Sequence, residues 1–123
     1  MNDYLYGNVV SFGDDGDLII FNIDDIKRLF YIRNVPKGET RGGHAHKECV
    51  QYISCILGSF KLELTFKKGE TKTFILNSPD VIVKVDPKIW VNMSDFASGT
   101  VALVMATHNY DPNDYIYDIN EIF

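Results

Sequence analysis

Phe60-Lys61-Leu62-Glu63-Leu64-Thr65-Phe66 is the stretch that decides the fold class. In an extended chain Phe60, Leu62, Leu64 and Phe66 fall on one side, and Lys61, Glu63 and Thr65 on the other. A period of two marks a strand with one face in a core and one in water. Turn chemistry bounds it, with Gly58-Ser59 before and Lys67-Lys68-Gly69-Glu70 after. Outward from there the chain repeats the theme. Residues 18–23, 28–34, 44–57, 71–76, 81–85, 89–93 and 100–107 are short runs rich in β-branched and aromatic residues. Residues 24–30 and the last ten residues have the pattern of short helices. About eight strands at this spacing predict an all-β domain, a sandwich or barrel, with a double-sheet jelly roll as one solution.

A length of 123 residues suits a single domain, 1–123. Apolar residues at 46% and charged residues at 24% exclude a disordered chain. The net charge of −5 lacks the basic face that nucleic acid requires, so no nucleic-acid partner is expected. The longest apolar runs, such as 101–106, are far short of the ~20 residues of a membrane-spanning helix, so no membrane partner is expected. Met1-Asn2-Asp3-Tyr4 has neither the basic nor the apolar region of a leader. Cys49 and Cys55 do not form a CxxC pair and are too few for a disulfide framework. A reducing, cytoplasmic setting is the expectation. Glycine-rich dinucleotide loops and P-loops are absent from the sequence.

The chemistry concentrates in Arg41-Gly42-Gly43-His44-Ala45-His46-Lys47. On a strand, positions two apart point the same way, roughly 6–7 Å from each other. His44 and His46 therefore project side by side, either as a metal-binding pair or as an acid/base pair. His108 stands beside Asn109 in a loop-like stretch. Gln51 has the opposite parity to the histidines, so it joins them only if the strand breaks near residues 47–49.

The pattern Gly38-x5-His44-x-His46-x4-Gln51-x6-Gly58 resembles the first motif of the cupins, which are small jelly-roll barrels. Cupin metal sites add a glutamate, replaced here by Gln51, and a histidine from a second motif, where this chain has Val91. Two histidines alone hold a divalent ion poorly, so proton transfer without a metal is the expected use of the pair.

Within the cupins, Arg28 to Arg33, Val35 to Lys47, Pro87-Lys88-Ile89-Trp90 and Tyr110 to Asp118 are similar to the sugar nucleotide 3,4-ketoisomerases that act on dTDP-4-dehydro-6-deoxyglucose. Many members carry histidine where this chain has Val50, and a basic residue where it has Tyr117. The resemblance implies a metal-independent and cofactor-independent isomerase of deoxysugar biosynthesis, feeding 3-amino sugars for surface polysaccharide. It implies a homodimer, with a dTDP-linked 4-keto-6-deoxy sugar as ligand. It also orders the pair, with His44 the proton acceptor and His46 its partner, an order that spacing cannot decide. The other roles are expected from side-chain chemistry. Arg41 and Arg33 are cations for the enediolate or diphosphate, and Gln51 binds a sugar hydroxyl or holds a histidine tautomer. Tyr31 and Trp90 stack on the thymine or line the barrel. Tyr115 is expected to pack or to meet a second subunit, and the carboxylates of 111–118 to form a solvated rim. The competing readings are a 3,5-epimerase of the same sugars, a metal-dependent cupin oxygenase and a sugar-binding cupin without catalysis.

Overall fold

Strands form where the alternation is strongest, and they stop where glycine, proline and aspartate interrupt it. The computed structural model describes residues 4–123. Met1, Asn2 and Asp3, considered above for a leader, lie outside the described residues. Two five-stranded antiparallel sheets face each other. The first runs β1 (Tyr4–Tyr6), β9 (Val81–Val85), β6 (Gln51–Leu57), β11 (Val101–Ala106) and β4 (Arg28–Arg33). The second runs β12 (Tyr115–Ile116), β5 (Arg41–His46), β10 (Trp90–Ser94), β7 (Phe60–Thr65) and β8 (Thr71–Leu76). A hairpin of β2 (Asn8–Ser11) and β3 (Asp17–Ile20) stands apart. From β4 to β12 the chain passes repeatedly between the two sheets, the jelly-roll order that the sequence led us to expect.

The core fills the space between the sheets. Ile53, Cys55, Val83 and Val104 enter from the first sheet, and Phe60, Leu62, Leu64 and Val91 from the second. Phe60, Leu62 and Leu64 are fully buried, as their period of two predicts. Each such side chain contributes roughly 1.5–3 kcal/mol by leaving water. Phe66 lies one residue beyond the strand but still packs on the core. Its carbonyl accepts the Gly69 N–H in the turn before β8.

Three expectations about elements need correction. Residues 24–30 form no helix. Asp25 has a φ of 61°, outside the helical range, and from Arg28 onward the chain pairs residue by residue with β11. The ladder satisfies its backbone groups as a helix would, and tertiary pairing overrides local propensity. The run 44–57 is two strands, not one, because residues 47–50 leave the sheet. The last ten residues form no α-helix: they hold the short strand β12 and a 3-10 turn, Ile119–Ile122, where the Asp118 carboxylate accepts the Asn120 N–H.

The outer face of the first sheet is apolar. Ile19, Ile26, Ile56, Ile82, Leu103 and Met105 line a groove of about 410 Å³ on it. No helix among the described residues is long and apolar enough to cross a membrane.

Candidate active site

β5 brings the histidines inward. His44 lies opposite Val91, a core residue, so its ring turns toward the space between the sheets, and His46 follows two positions on. Ala45 points the other way and packs beneath Ile116 and Ile122. The two imidazoles meet edge to face, with centroids 5.1 Å apart.

The glycines before them set a bulge. Val91 pairs with His44 and Asn92 with Gly42, so Gly43 is extra. Gly42 has a φ of 92°, and a Cβ there would stand 2.7 Å from the Val91 carbonyl oxygen. Only glycine fits this backbone. The extra residue reverses parity upstream. Arg41, opposite the core residue Met93, shares the face of His44 although it lies three positions away. Its guanidinium is exposed at the rim and donates to the Thr40 carbonyl at 2.7 Å.

The break at 47–50 brings Gln51 to the same space. Lys47 N–H donates to the Asp114 carbonyl at 2.8 Å, and Val50 N–H to the Thr107 hydroxyl at 3.0 Å. β6 then opens at Gln51, which is buried and lies in register with Val85 and Ala106. Arg28 continues that row on the other side of Ala106. It shares the inner face of β4 with Phe30 and Ile32, and its guanidinium carbon stands 5.8 Å from the Tyr110 ring centre.

The chain's last segment closes the site. A 3-10 turn, Pro112–Asp114, starts where the Asp111 carboxylate accepts the Asn113 N–H. β12 then pairs with β5, placing Tyr115 opposite His46. The Tyr115 ring lies 4.5 Å from His46 and 5.0 Å from His44, and Tyr117 stacks on it at 5.6 Å. Asp114 Oδ2 meets His46 Nδ1 at 2.8 Å, and Oδ1 accepts the Glu48 N–H at 2.8 Å.

These surroundings favour neutral imidazoles. Burial, chiefly, lowers the pKa of His44 below its ordinary value. The neighbouring His46 and the charge of Arg28 add to that, and a backbone hydrogen bond to Gly42 opposes it. Burial also lowers His46. Asp114 opposes this without reversing it, while Arg28 and His108 reinforce it. Burial alone would raise Asp114. Bonds from His46 and from the N–H groups of Glu48 and Cys49 outweigh it and hold the carboxyl below the usual carboxylate range.

One set of three donors among the described residues is close enough to share a cation. His46, Cys49 and Asp114 each offer an atom within 4.8 Å of the others. Zinc takes this donor chemistry, but here the imidazole and the carboxylate are bonded to each other, and His44 is not in the set. His108 stands in the loop, 2.9 Å from the Thr107 hydroxyl.

Of the residues nominated from sequence, His44, His46, Gln51 and Arg41 share the inner face. Tyr31, Arg33 and Trp90 do not. Tyr31 and Arg33 occupy the outward positions of β4, and Tyr31 is 62% exposed. Both faces of β4 carry large apolar residues, so alternation alone did not reveal which one turns inward. Trp90 turns to the outer side of the second sheet, against Ala45, Ile116 and Ile122. Sequence reasoning missed Arg28 and Asp114 as site residues and left Tyr115 as packing. The available signal was the parity of Arg28 with Phe30 and Ile32.

With this geometry established, three comparisons bear on it. The family model described as FdtA, WxcM-like, C-terminal matches residues 3–123. A curated relative from Aneurinibacillus thermoaerophilus, named TDP-4-oxo-6-deoxy-alpha-D-glucose-3,4-oxoisomerase, is 40% identical over 91 residues. The match covers 74% of this chain and 65% of the relative, just under two thirds of its length. Among solved structures, a histidine-to-asparagine mutant of the 3,4-ketoisomerase QdtA from Thermoanaerobacterium thermosaccharolyticum, in complex with TDP-4-keto-6-deoxyglucose, superposes with a TM-score of 0.89. It is 34% identical, and the superposition covers 97% of this chain and 88% of that one. The rmlC epimerase of Mycobacterium tuberculosis shares the fold alone, with a TM-score of 0.77 at 13% identity over 91% of this chain and 66% of its own.

Proposed function

The chain belongs to the FdtA family of WxcM-like, C-terminal domains, and from that premise we propose that residues 1–123 form one sugar nucleotide 3,4-ketoisomerase domain. Its substrate is dTDP-4-dehydro-6-deoxyglucose, whose carbonyl moves from C4 to C3. The observation that carries this reading is the pair of inward, neutral-favouring imidazoles 5.1 Å apart beside a cation, Arg28.

The carbonyl at C4 acidifies the proton on C3. Neutral His44 removes it, the C3–H electron pair becomes a C3–C4 double bond, and negative charge moves onto O4. Arg28 and the rim guanidinium of Arg41 stabilise that charge. His46 moves a proton from O3 to O4, a carbonyl forms at C3, and His44 returns its proton to C4. The atom count is unchanged and no electron leaves the sugar, so the balance calls for no redox cofactor. Imidazoles that are neutral near pH 7 suit both proton transfers. Gln51, buried at the same end of the barrel, is suited to a sugar hydroxyl.

A homodimer belongs to the same proposal. Its support is the apolar outer face of the first sheet, where Leu29, Tyr31 and Ile56 are exposed. A cytoplasmic setting is also part of it, supported by two buried free cysteines.

The test is incubation with dTDP-4-dehydro-6-deoxyglucose in deuterated water, followed by NMR. A product with its carbonyl at C3 is expected, with deuterium at C4 to the extent that the proton held on His44 exchanges with solvent before it is returned. Epimerisation with the carbonyl still at C4 would favour the epimerase instead, and no turnover at all would remove the isomerase reading. A His44→Asn variant should lose about 10²–10⁴-fold in turnover and still bind TDP by calorimetry.

A further inference from the structure

We propose that Asp114 is a positioning residue that holds His46 as its Nδ1–H tautomer, so that Nε2 presents a lone pair to the sugar hydroxyls. The role of Nε2 rests on the isomerase reading above. The tautomer rests on geometry alone.

An ionised carboxylate only accepts hydrogen bonds. Its Oδ2 lies 2.8 Å from His46 Nδ1, so that nitrogen must carry the hydrogen. The arrangement is fixed from several sides. Asp114 Oδ1 is held by the Glu48 N–H, its carbonyl accepts the Lys47 N–H at 2.8 Å, and its own N–H donates to Asp111 at 3.0 Å. On the other side, the His46 carbonyl accepts the Lys88 N–H at 2.7 Å. Backbone bonds therefore lock both partners. Nε2 is left buried, with no hydrogen-bond partner among the described residues. A buried polar atom without a partner is rare enough to mark a site where a ligand atom completes the bonding.

The consequence for the reaction is directional. A bare Nε2 can first accept the proton of O3–H, and the carboxylate 2.8 Å from Nδ1 then faces the imidazolium. The same Nε2 next donates to O4. A ring locked as the Nε2–H tautomer could not begin that sequence, because it has no lone pair to offer.

Asparagine at 114 should reverse the tautomer. The Glu48 N–H requires an acceptor, so the amide oxygen takes the Oδ1 position and the NH₂ group replaces Oδ2. A donor then faces Nδ1, and the proton moves to Nε2. The experiment is two-bond ¹⁵N–¹H NMR on ¹⁵N-histidine-labelled full chain without ligand, together with kinetics of Asp114→Asn. In the wild type the His46 pattern should be that of the Nδ1–H tautomer, and in the variant that of Nε2–H. Turnover of the variant should fall about a hundredfold, with KM within about threefold and the melting temperature retained. A wild-type His46 in the Nε2–H form would overturn the proposal even if the variant failed to fold. So would a folded variant with unchanged kcat. A wild type with the expected tautomer but no ketoisomerase activity would instead sink the functional reading and leave the tautomer assignment standing.

Discussion

Tyr115 lies directly opposite His46 in the β5–β12 pair, and its ring covers both imidazoles at 4.5 and 5.0 Å. The dryness that keeps these histidines neutral thus comes in part from a residue near the end of the chain. Replacing Tyr115 with alanine should open the pair to water and relieve the desolvation. The histidine pKa values should rise toward 6.5, as followed by NMR titration. Turnover at pH 7 should fall roughly tenfold, equivalent to about 1.4 kcal/mol of barrier. Unchanged titration would show that Tyr115 does not shield the site.

Arg28 and Arg33 stand on opposite faces of the same strand, and this yields a paired test. Arg28→Met should lower kcat by about 10²-fold, the effect of losing one preorganised group that stabilises an oxyanion. Arg33→Met should leave kcat unchanged, since its side chain stands on the outward face of β4, away from the imidazole pair. Steady-state kinetics of the two variants decides between the faces. The reverse ranking would return Arg33 to the site.

The pH response follows from the two depressed imidazoles. The base is active when neutral, so the acid limb of the kcat/KM profile should have its midpoint below 6.5. The groups around the pair are Arg28, His108, Asp114 and each histidine for the other. Stability should move with the same sign. Between the folded values and 6.5 the unfolded chain binds more protons than the folded one. The contribution of these histidines is therefore complete above pH 6.5 and lost as pH falls through their folded values. Asp114, also depressed, adds a loss below pH 3.8. Thermal melting across pH 7.5 to 5 should show a falling midpoint, and a rising one would contradict the shifts.

Gly42→Ala should destabilise the fold by about 1–3 kcal/mol. The added Cβ would meet the Val91 carbonyl at 2.7 Å on a backbone with φ at 92°. Urea unfolding measures it. Because the bulge also turns Arg41 toward the face of His44, kcat should fall in the same variant.

Much of this was legible before any coordinates. The alternation of Phe60–Phe66 placed one face of β7 in the core, and the i, i+2 spacing put His44 beside His46. The parity of Gln51 required a break near residues 47–49, and the chain leaves the sheet at 47–50. What alternation could not supply was the choice of face on β4, where Leu29 and Tyr31 compete with Phe30 and Ile32. Nor could it reveal the bulge at Gly43, which undoes simple counting for Arg41. Asp114 was hidden for another reason. A carboxylate in a run of aspartates has the pattern of a solvated rim, and only tertiary pairing shows which one folds back onto a histidine. Trp90 illustrates the same limit, since a half-buried aromatic fits a ligand pocket and a satellite cluster equally well.

His46 and Asp114 are separated by 68 positions in the chain. Contacts between such distant parts form late, after the loop-closure entropy of the intervening strands has been met. A chain in which β12 has not docked on β5 can display both imidazoles and yet lack the carboxylate that orients one of them, which makes the His46 tautomer a reporter of whether that segment is in place.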